Sequence, residues 1–403
     1  GGTMAFKTGT KSLGKDVLEH STHTAEDPTH SALHFGDRYY LKLYRKLDDT
    51  INPDLEISRF LSEQTSFAHI PTYRGSIVFH KGSRTELALG LLQEKITYQQ
   101  TAWDYACDAF KRYLEDARAQ LPEVESLSAD GLATSPVSYE EMPGVLQELM
   151  ESAFPERMVQ LGEITAAMHG SLLGKAGDRD FGKEAFSLHY QRSVYSSFQG
   201  LTRRALDLLK KDRAALPEAL RQEARETIDL KADILRCFKR IYDHKIEAFK
   251  IRTHGDFHLE QVLWTGRDFV IRNFEGESMR SYSERRLRRS PLRDVAGLIR
   301  SLHYVSMGIL LEDKAPEEPL AESDVHLARL WSHYSARLFL HGYLEAQEIK
   351  GVIPEEAGDF RMLLEIFMLE KALYELLHEL ENRRSLTLLP LMGIREILQA
   401  TED

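Results

Sequence analysis

The hydrophobic pattern of this 403-residue chain changes near Glu94, and that change most limits the possible fold. Before this point, apolar residues alternate in short runs bounded by turn-forming residues, a pattern typical of antiparallel strands. After it, apolar residues recur with the period of amphipathic helices through most of the sequence. The sequence therefore predicts an α+β fold, with a small antiparallel sheet ahead of a larger, mostly α-helical part.

Short local signals define the small sheet. Two apolar stretches around Gly36-Asp37 predict a β-hairpin over 31–44. Asn52-Pro53-Asp54 then provides an N-terminal cap and a first-turn proline for one helix. Further strands are predicted over 73–79 and 86–93. Together these elements predict an antiparallel sheet that carries one helix.

Helical periodicity dominates the rest of the chain. It predicts helices over 101–121, 155–174, 186–214, 217–249, 292–311, 322–349 and 354–382. The segment 121–144 is rich in Ser, Pro, Glu and Gly and is expected to be a long, mobile connection. Strand and loop are expected over 251–290, so this segment interrupts the helical pattern.

Composition argues against several classes of protein. Acidic residues outnumber basic ones by 63 to 52, and the net charge of -11 gives no reason to expect nucleic-acid binding. Two cysteines are too few for a disulfide framework and fit a reducing cytoplasm. The sequence contains no apolar stretch of membrane-spanning length and no signal-peptide pattern. We therefore expect a cytoplasmic protein that binds neither nucleic acid nor a membrane.

The most informative motif is HGDFHLEQ, from His254 to Gln261. A predicted strand follows over 269–271, and after it comes Asn273-Phe274-Glu275-Gly276-Glu277. A His-Gly-Asp triplet, an amide five residues after its aspartate and an acidic residue beyond the next strand resemble the phosphotransferase loop of aminoglycoside- and choline-kinase-like enzymes. The alternative is a polar turn between two strands.

This resemblance implies a role for each polar side chain in the loop. Phosphoryl transfer requires a cation on the nucleotide phosphates, oxygen ligands for Mg²⁺ and a group that orients the attacking hydroxyl. Asp256 would orient that hydroxyl or accept its proton, and His254 would brace the loop. Gln261 would reach the metal through its carbonyl oxygen, together with Asn273 and Glu275.

The cation expected on the nucleotide is Lys42, in the strand segment YYLKLY. Glu56 on the following helix is predicted to pair with it, as the strand lysine and helix glutamate of kinases do. Thr29, Ser31 and Gln93 are further candidates for nucleotide contacts. Taken alone, Lys42 could instead be a surface lysine whose stem lies along apolar surface.

Longer stretches resemble the maltokinases, including those fused to trehalose synthase. They are HGDFHLEQVLWTG, FEGE, ERRLRRSPLRDVAGLIRSLHY, GDRYYLKLYRKL, INPDLEISRFL, LGEITAAMHG, YQRSVYSSF and EKALYELLHELENR. The match runs from about Gly36 to the C-terminus. It implies an enzyme dependent on ATP and Mg²⁺ that phosphorylates the anomeric hydroxyl of maltose, giving maltose 1-phosphate for α-glucan synthesis. Trehalose synthase is the partner that the resemblance suggests.

The same resemblance implies a bilobal protein-kinase-like fold. Its N-lobe would occupy 31–95, and its helical C-lobe would occupy 96–403 with the catalytic loop at 254–277. Residues 1–30 are not assigned from the sequence. Maltokinases usually carry a cap subdomain before the first kinase strands, and we expect that this cap is absent here.

One position departs from the maltokinase pattern in a way that bears on activity. The family has Asp where this chain has Asn273, and that Asp is a metal ligand. Asparagine keeps a carbonyl oxygen but lacks the negative charge that Mg²⁺ prefers. Either Glu275 or Glu277 takes over the ligation, or activity is weakened or absent.

A sugar acceptor needs polar groups for its hydroxyls and aromatic faces for its ring planes. The residues that the resemblance places near the sugar are His258, Tyr190, Gln191, Arg192, Tyr195, Glu370, Lys371, Tyr374 and Glu375. On a helix, residues 370 and 374, like 371 and 375, lie on neighbouring parts of one face. The alternative for these residues is a solvated helix face with internal ion pairs. Asp294 is expected to have a structural role, capping its helix and bracing the loop.

Three functions remain open from the sequence. The first is a maltose kinase, in which Asn273 either limits turnover or is compensated by a neighbouring acid. The second is a kinase of the same fold with another acceptor, such as glucosamine or a different disaccharide. The third is a pseudokinase that binds nucleotide or sugar and acts as a partner protein.

Overall fold

The structure, a computed structural model, describes residues 2–10, 21–24, 30–81, 85–129, 131–175, 177–312 and 320–401. The chain divides into two compact units. Unit 1 comprises Gly1–Ala102, Ala167–Gly182 and Arg252–Arg289, and unit 2 comprises Trp103–Ala166, Lys183–Ile251 and Ser290–Asp403. The loop 254–277, which the sequence analysis assigns to the helical lobe, lies in unit 1. The lobe boundary near residue 95 stays a prediction.

A six-stranded antiparallel sheet forms the first part of unit 1. Its strands are β1 (Gly2–Thr8), β2 (Ser21–Thr24), β3 (His30–Phe35), β4 (Tyr39–Tyr44), β5 (Tyr73–Lys81) and β6 (Thr85–Glu94), in the order β1-β5-β6-β4-β3-β2. The predicted hairpin and the two later strands are confirmed as β3, β4, β5 and β6. The segment 1–30 contributes two strands, β1 and β2, that the sequence analysis does not assign.

Helix α1 (Pro53–Gln64) packs on this sheet. Asn52 caps it, since its side-chain oxygen accepts hydrogen bonds from the backbone N–H groups of Asp54 at 2.9 Å and Leu55 at 3.2 Å. Leu55 then packs with apolar residues of β4, β5 and β6. The predicted helix start is therefore confirmed, and the cap fixes the position of the first helical turn.

A second antiparallel sheet in unit 1 explains how distant parts of the loop segment meet. It contains β7 (Gln100–Thr101), β10 (Val262–Trp264) and β11 (Phe269–Ile271), in the order β11-β10-β7. The register pairs Val262 with Ile271. The residue before β10, Gln261, therefore lies beside the residues that follow β11, and its carbonyl accepts a hydrogen bond from the N–H of Arg272 at 2.9 Å.

Helices form most of unit 2. In chain order, the remaining elements are α2 (Ala102–Ala119), α3 (Leu121–Val124), α4 (Gly144–Leu149), α5 (Ala153–Ser171), β8 (Glu184–Ala185), α6 (Leu188–Asp212), α7 (Glu218–Asp229), α8 (Lys231–Lys239), β9 (Phe249–Lys250), α9 (Tyr282–Arg285), α10 (Leu292–Glu312), α11 (Glu322–Glu345), α12 (Ala357–Asn382) and α13 (Leu388–Ala400). The predicted α+β class, with an antiparallel sheet in the N-terminal part and a large helical C-terminal portion, is confirmed.

Parts of the helical prediction are wrong. The helix expected over 217–249 is two helices, α7 and α8, which end at Asp229 and Lys239. Helix α13 is not predicted from the sequence, because Pro390 and Gly393 are both unfavourable inside helices. None of the helices in the described ranges has the length and apolar character needed to cross a membrane.

A buried ion pair joins α10 to α12 inside unit 2. The Arg300 side chain is 4% exposed, and it donates to Oε2 of Glu375 through Nη2 at 2.7 Å and Nε at 3.1 Å. Burial opposes the charged form, but the Glu375 carboxylate outweighs it and raises the pKa of Arg300. Gly393 of α13 leaves the space for this guanidinium, because a Cβ there would lie 2.2 Å from Arg300 Nη1. The pair is part of the packing of three helices.

We expect Glu375→Ala to lower the free energy of unfolding by about 3–5 kcal/mol, because the Arg300 charge would remain buried without its partner. Urea denaturation measures this effect. Glu381→Ala, at an exposed position of the same helix, is the control and should change stability by less than about 0.5 kcal/mol. Equal shifts in the two variants would contradict the structural role of the pair.

Candidate active site

The loop that contains the His-Gly-Asp triplet approaches the loop after β11 closely. Gly255 and Gly276 have positive φ values of +84° and +72°. A Cβ on Gly255 would lie 3.4 Å from the Cα of Gly276, so the first loop comes near the second at this glycine. Glycine adopts this backbone conformation without the steric penalty that a side chain would bring. The FEGE motif is thus adjacent to the HGD motif in space.

His254 ties these two loops together. Its Nε2 atom lies 2.9 Å from the carbonyl oxygen of Arg272, and its ring lies against the rings of Phe257 and Phe274. Its Nδ1 accepts a hydrogen bond from the N–H of Asp256 at 3.4 Å. The His254 side chain is buried, so its position fixes the backbone on which Asp256 is carried.

Asp256 presents a carboxylate that solvent can reach. Its side chain is 30% exposed, and its Oδ2 lies 3.9 Å from Nε2 of His258, which is 23% exposed. A group that meets a substrate hydroxyl must be accessible in this way. Asp256 and His258 are therefore brought together at the surface of unit 1.

Lys42 is a buried cation with two oxygen partners. It is 2% exposed, which rules out the alternative of a surface lysine. Its Nζ lies 2.8 Å from Oδ2 of Asp54 and 2.6 Å from Oδ1 of Asn273. Asp54 also accepts hydrogen bonds from the Tyr44 hydroxyl at 3.1 Å and from the backbone N–H of Phe274 at 2.9 Å. One carboxylate thus connects β4, α1 and the loop after β11.

The electrostatics of this pair favour the ionised forms of both residues. Burial raises the pKa of Asp54, but the Lys42 ammonium and the hydrogen bonds to the carboxylate lower it by more. Burial likewise lowers the pKa of Lys42, and the charges of Asp54 and Glu275 raise it by more. Lys42 is therefore held as an ammonium.

The partner predicted for Lys42 is wrong: Asp54, not Glu56, makes the ion pair. The two acids are two residues apart on α1, so they point about 200° apart around the helix and cannot both face Lys42. Glu56 instead binds two arginines, Arg252 at 2.8 Å and Arg286 at 2.5 Å. Sequence reasoning missed Asp54 because a first-turn aspartate after a cap is also typical of an ordinary helix start.

The Glu56 cluster fixes the opposite side of α1. Arg252 is 1% exposed, and its guanidinium lies 5.1 Å from the centroid of the Phe181 ring. Phe181 in turn stacks on Phe60 of α1, with ring centroids 3.6 Å apart. Glu56 and Phe60 therefore join α1 to the segments around Phe181 and Arg252 by one ionic and one aromatic contact.

Asn273 connects Lys42 to Gln261. While its Oδ1 accepts from Lys42, its Nδ2 donates to Oε1 of Gln261 at 2.8 Å. Gln261 Nε2 then lies 3.2 Å from Nε2 of His258. Asn273 has a φ of +61°, a left-handed conformation that asparagine tolerates better than most residues. The loop after β11 thus turns sharply to bring the amide between the lysine and the glutamine.

The predicted metal ligands do not fit Mg²⁺ in this arrangement. Asn273 and Gln261 offer neutral carbonyl oxygens, and each already accepts a hydrogen bond. Glu275 Oε1 lies 3.8 Å from Nδ1 of the buried His30. Among the residues that the structure describes, no group of three or more His, Cys, Asp or Glu side chains could hold a metal ion. Mg²⁺ prefers anionic oxygens, and of the three predicted ligands only Glu275 has one.

The other residues predicted to contact the nucleotide are Ser31, Gln93 and Thr29, and the structure describes the first two. Ser31, in β3, accepts a hydrogen bond through Oγ from Nε of Arg45 at 3.3 Å. Gln93 is buried and donates through Nε2 to Ser58 Oγ at 3.4 Å and to the Pro71 carbonyl at 3.3 Å. Its side chain therefore faces the interior of unit 1. Thr29 lies outside the described residues.

The predicted sugar-binding residues other than His258 lie in unit 2, and three of them are engaged in its packing. Glu370 pairs with Arg293 at 2.8 Å, and Glu375 pairs with Arg300. The amide of buried Gln191 donates to two backbone carbonyls of the segment 241–244. Glu370 and Glu375 therefore lie neither on a solvated helix face nor in ion pairs within α12, since both are largely buried and pair with arginines of α10.

The other unit 2 candidates are partly or fully exposed. Tyr190 lies under the Lys250 ammonium at 4.3 Å from the ring centroid, and Tyr195 packs edge-on against Tyr242. Lys371 and Tyr374 are partly exposed, and Arg192 is exposed.

Asp294, for which a structural role was expected, is buried in the first turn of α10. Ser290 precedes it, and the Oγ of Ser290 accepts a hydrogen bond from the N–H of Leu292 at 3.3 Å. The helix entry is thus capped by Ser290.

Comparison with solved structures gives clear similarity to glucosamine kinase. A glucosamine kinase in complex with glucosamine, ADP and inorganic phosphate has a TM-score of 0.67 and 17% identity, covering 97% of this chain and 78% of that chain. Its crystal form B has a TM-score of 0.68 and 16% identity, covering 98% and 80%. No family model matches the chain. At this level of identity the similarity establishes a shared fold.

We expect Glu56→Gln to lower the free energy of unfolding by about 3–5 kcal/mol at neutral pH, because two arginines would lose their carboxylate and Arg252 is buried. Arg59→Ala, which removes an exposed ion pair on the same helix, is the control and should cost less than about 1 kcal/mol.

The effect should also depend on pH. Burial raises the pKa of Glu56, but Arg286 and Arg252 lower it by more, so the net shift is downward. The stabilisation is therefore fully present above the unfolded-state value of about 4.3 and is lost as the pH falls through the folded-state value. Denaturant unfolding from pH 7 to pH 3 should show the difference between wild type and Glu56→Gln shrinking. A difference that stays constant would contradict the ion-pair assignment.

Proposed function

We propose that this chain is an ATP-dependent phosphotransferase that phosphorylates a sugar hydroxyl, and that maltose is the acceptor. One observation carries the proposal: Lys42 and Asn273, 231 residues apart in sequence, are in hydrogen-bond contact, and Asn273 joins Lys42 to the loop of Asp256 through Gln261. A buried cation and an accessible carboxylate on one connected scaffold supply two of the three parts that phosphoryl transfer requires, the cation for the phosphates and the group that orients the hydroxyl. The fold shared with glucosamine kinase supports this assignment.

In this proposal, Lys42 binds the nucleotide phosphates while Asp54 keeps its ammonium in place. A phosphate oxygen replaces the side-chain oxygen of Asn273 as the second hydrogen-bond partner of Lys42. Asp256 orients the acceptor hydroxyl and accepts its proton as the oxygen attacks the γ-phosphorus. The bond between the γ-phosphorus and the oxygen that bridges it to the β-phosphate breaks. ADP leaves and carries the negative charge on that oxygen.

Maltose is proposed because the maltokinase motifs extend along most of the chain. Tyr190, Arg192, Lys371 and Tyr374 remain the candidates for sugar contacts, and phosphorylation at the anomeric hydroxyl would give maltose 1-phosphate. Trehalose synthase is the partner that the resemblance to maltokinases suggests. Glucosamine is the second candidate acceptor, since glucosamine kinase has the same fold.

ATP consumption across a panel of maltose, glucosamine and other disaccharides, with Mg²⁺ and with Mn²⁺, tests the proposal. A rate with maltose well above the rates with the other sugars supports it. A higher rate with glucosamine would mean that the reaction is as proposed and that the acceptor is glucosamine. Nucleotide binding without turnover on any sugar would favour a pseudokinase, for which Asn273 is the structural indication.

We expect Asp256→Asn to lower turnover by at least about a hundredfold, the low end of general-base contributions, while sugar binding changes little. Steady-state kinetics and calorimetry measure the two effects. Glu260→Gln is the matched control, because this acid lies in the same loop with a side chain that is 62% exposed. If Asp256→Asn kept the turnover of the wild type, the assignment of Asp256 as the proton acceptor would be wrong.

A further inference from the structure

We infer that this chain binds a nucleoside diphosphate or triphosphate as the free anion, directly through Lys42, without a bridging divalent cation. The inference rests on the proposed nucleotide site. Its basis is the position of the Lys42 ammonium, which lies 2.6 Å from Oδ1 of Asn273, the oxygen assigned from the sequence to a metal ion. The oxygen expected to bind a divalent cation therefore accepts a hydrogen bond from a cationic side chain of the protein.

The second basis is the direction of the Asn273 amide. Its oxygen accepts from Lys42, and its nitrogen donates to Oε1 of Gln261 at 2.8 Å. A carboxylate at this position could accept from the lysine but could not donate to the glutamine. Asparagine therefore satisfies both neighbours at once, and two of the three side chains assigned to a metal, Asn273 and Gln261, already accept hydrogen bonds through their oxygens.

The charge around Lys42 points the same way. Two carboxylates, Asp54 and Glu275, act on the ammonium, and Asp54 is in direct contact with it. Aspartate at position 273 would add a third negative charge to those of Asp54 and Glu275, an excess of two over the ammonium that a divalent cation would balance. With asparagine the excess is a single charge, so the demand for such a cation is much weaker.

An incoming phosphate can displace Asn273 from Lys42. An ammonium attracts an anionic phosphate oxygen through a full charge and an amide oxygen only through a dipole, so a phosphate oxygen is the better partner. Asp54, which is fully buried and bonded to β4 and to the loop after β11, would keep Lys42 in place during the exchange. The ligand class is therefore a polyphosphate anion with accessible terminal oxygens.

Calorimetric titration of ATP and of ADP, with excess Mg²⁺ and separately with EDTA, tests the inference. For the wild-type chain we expect the two dissociation constants to differ by less than about threefold. For Asn273→Asp we expect binding with Mg²⁺ to be at least about tenfold tighter than binding with EDTA. Asparagine and aspartate both tolerate the left-handed backbone at this position, so the substitution keeps the backbone conformation while it adds a charge and removes the donor to Gln261.

Two control variants separate the possible outcomes. Asn382→Asp adds the same charge at an exposed position of α12, and its binding should match the wild type under both conditions. Lys42→Met should abolish binding with Mg²⁺ and with EDTA alike. Melting curves establish that each variant is folded, and if Asn273→Asp is not folded, the wild-type comparison alone decides.

Wild-type binding that requires Mg²⁺ and is lost in EDTA would overturn the inference while leaving the nucleotide site intact. Absence of ATP and ADP binding under every condition would instead overturn the proposed function, and the inference with it. Equal affinities with and without the metal, together with a metal requirement in Asn273→Asp, would support the direct role of Lys42.

Discussion

The buried pair of Lys42 and Asp54 is the interaction on which the candidate site in unit 1 depends. Removing two charges from water is costly, and the attraction between them compensates only when the remaining hydrogen-bonding positions are also filled. Here Asp54 accepts from Lys42, from the Tyr44 hydroxyl and from the N–H of Phe274. The carboxylate therefore fixes a strand, a helix and a loop relative to one another, and any shift of α1 would move the lysine.

Local signals predicted much of this scaffold. The hairpin, the Asn52 cap and the strands of the small sheet depend on residues close together in sequence, so pattern and turn chemistry were sufficient. Which of Asp54 and Glu56 pairs with Lys42, in contrast, does not depend on neighbouring residues in the sequence. Both acids lie in the first turns of α1, and only the orientation of the helix on the sheet decides which one faces Lys42. Pattern identifies the helix, whereas tertiary packing sets its rotation.

Long-range arginine contacts account for most of what could not be predicted. Arg252 and Arg286 bind Glu56, and in unit 2 Arg293 and Arg300 bind two acids of α12. An acid at a suggestive spacing looks the same in sequence whether it meets a sugar or an arginine from another helix. Buried arginines carry no periodic signal of their own, so sequence reasoning could not identify these pairs. Helix α13 was missed for a different reason, since Gly393 serves a close approach to Arg300 that only the folded chain reveals.

Asn273 shows how a single neutral side chain changes the balance in such a site. Its amide lies between Lys42 and Gln261, accepting a hydrogen bond from the first and donating one to the second. A carboxylate there would attract the ammonium through a full charge, so the phosphates of the proposed nucleotide would have to compete with a charge of the protein. The amide is a neutral and weaker acceptor, which those phosphates would displace more easily. A single neutral side chain at this position therefore lowers the competition within the protein for Lys42.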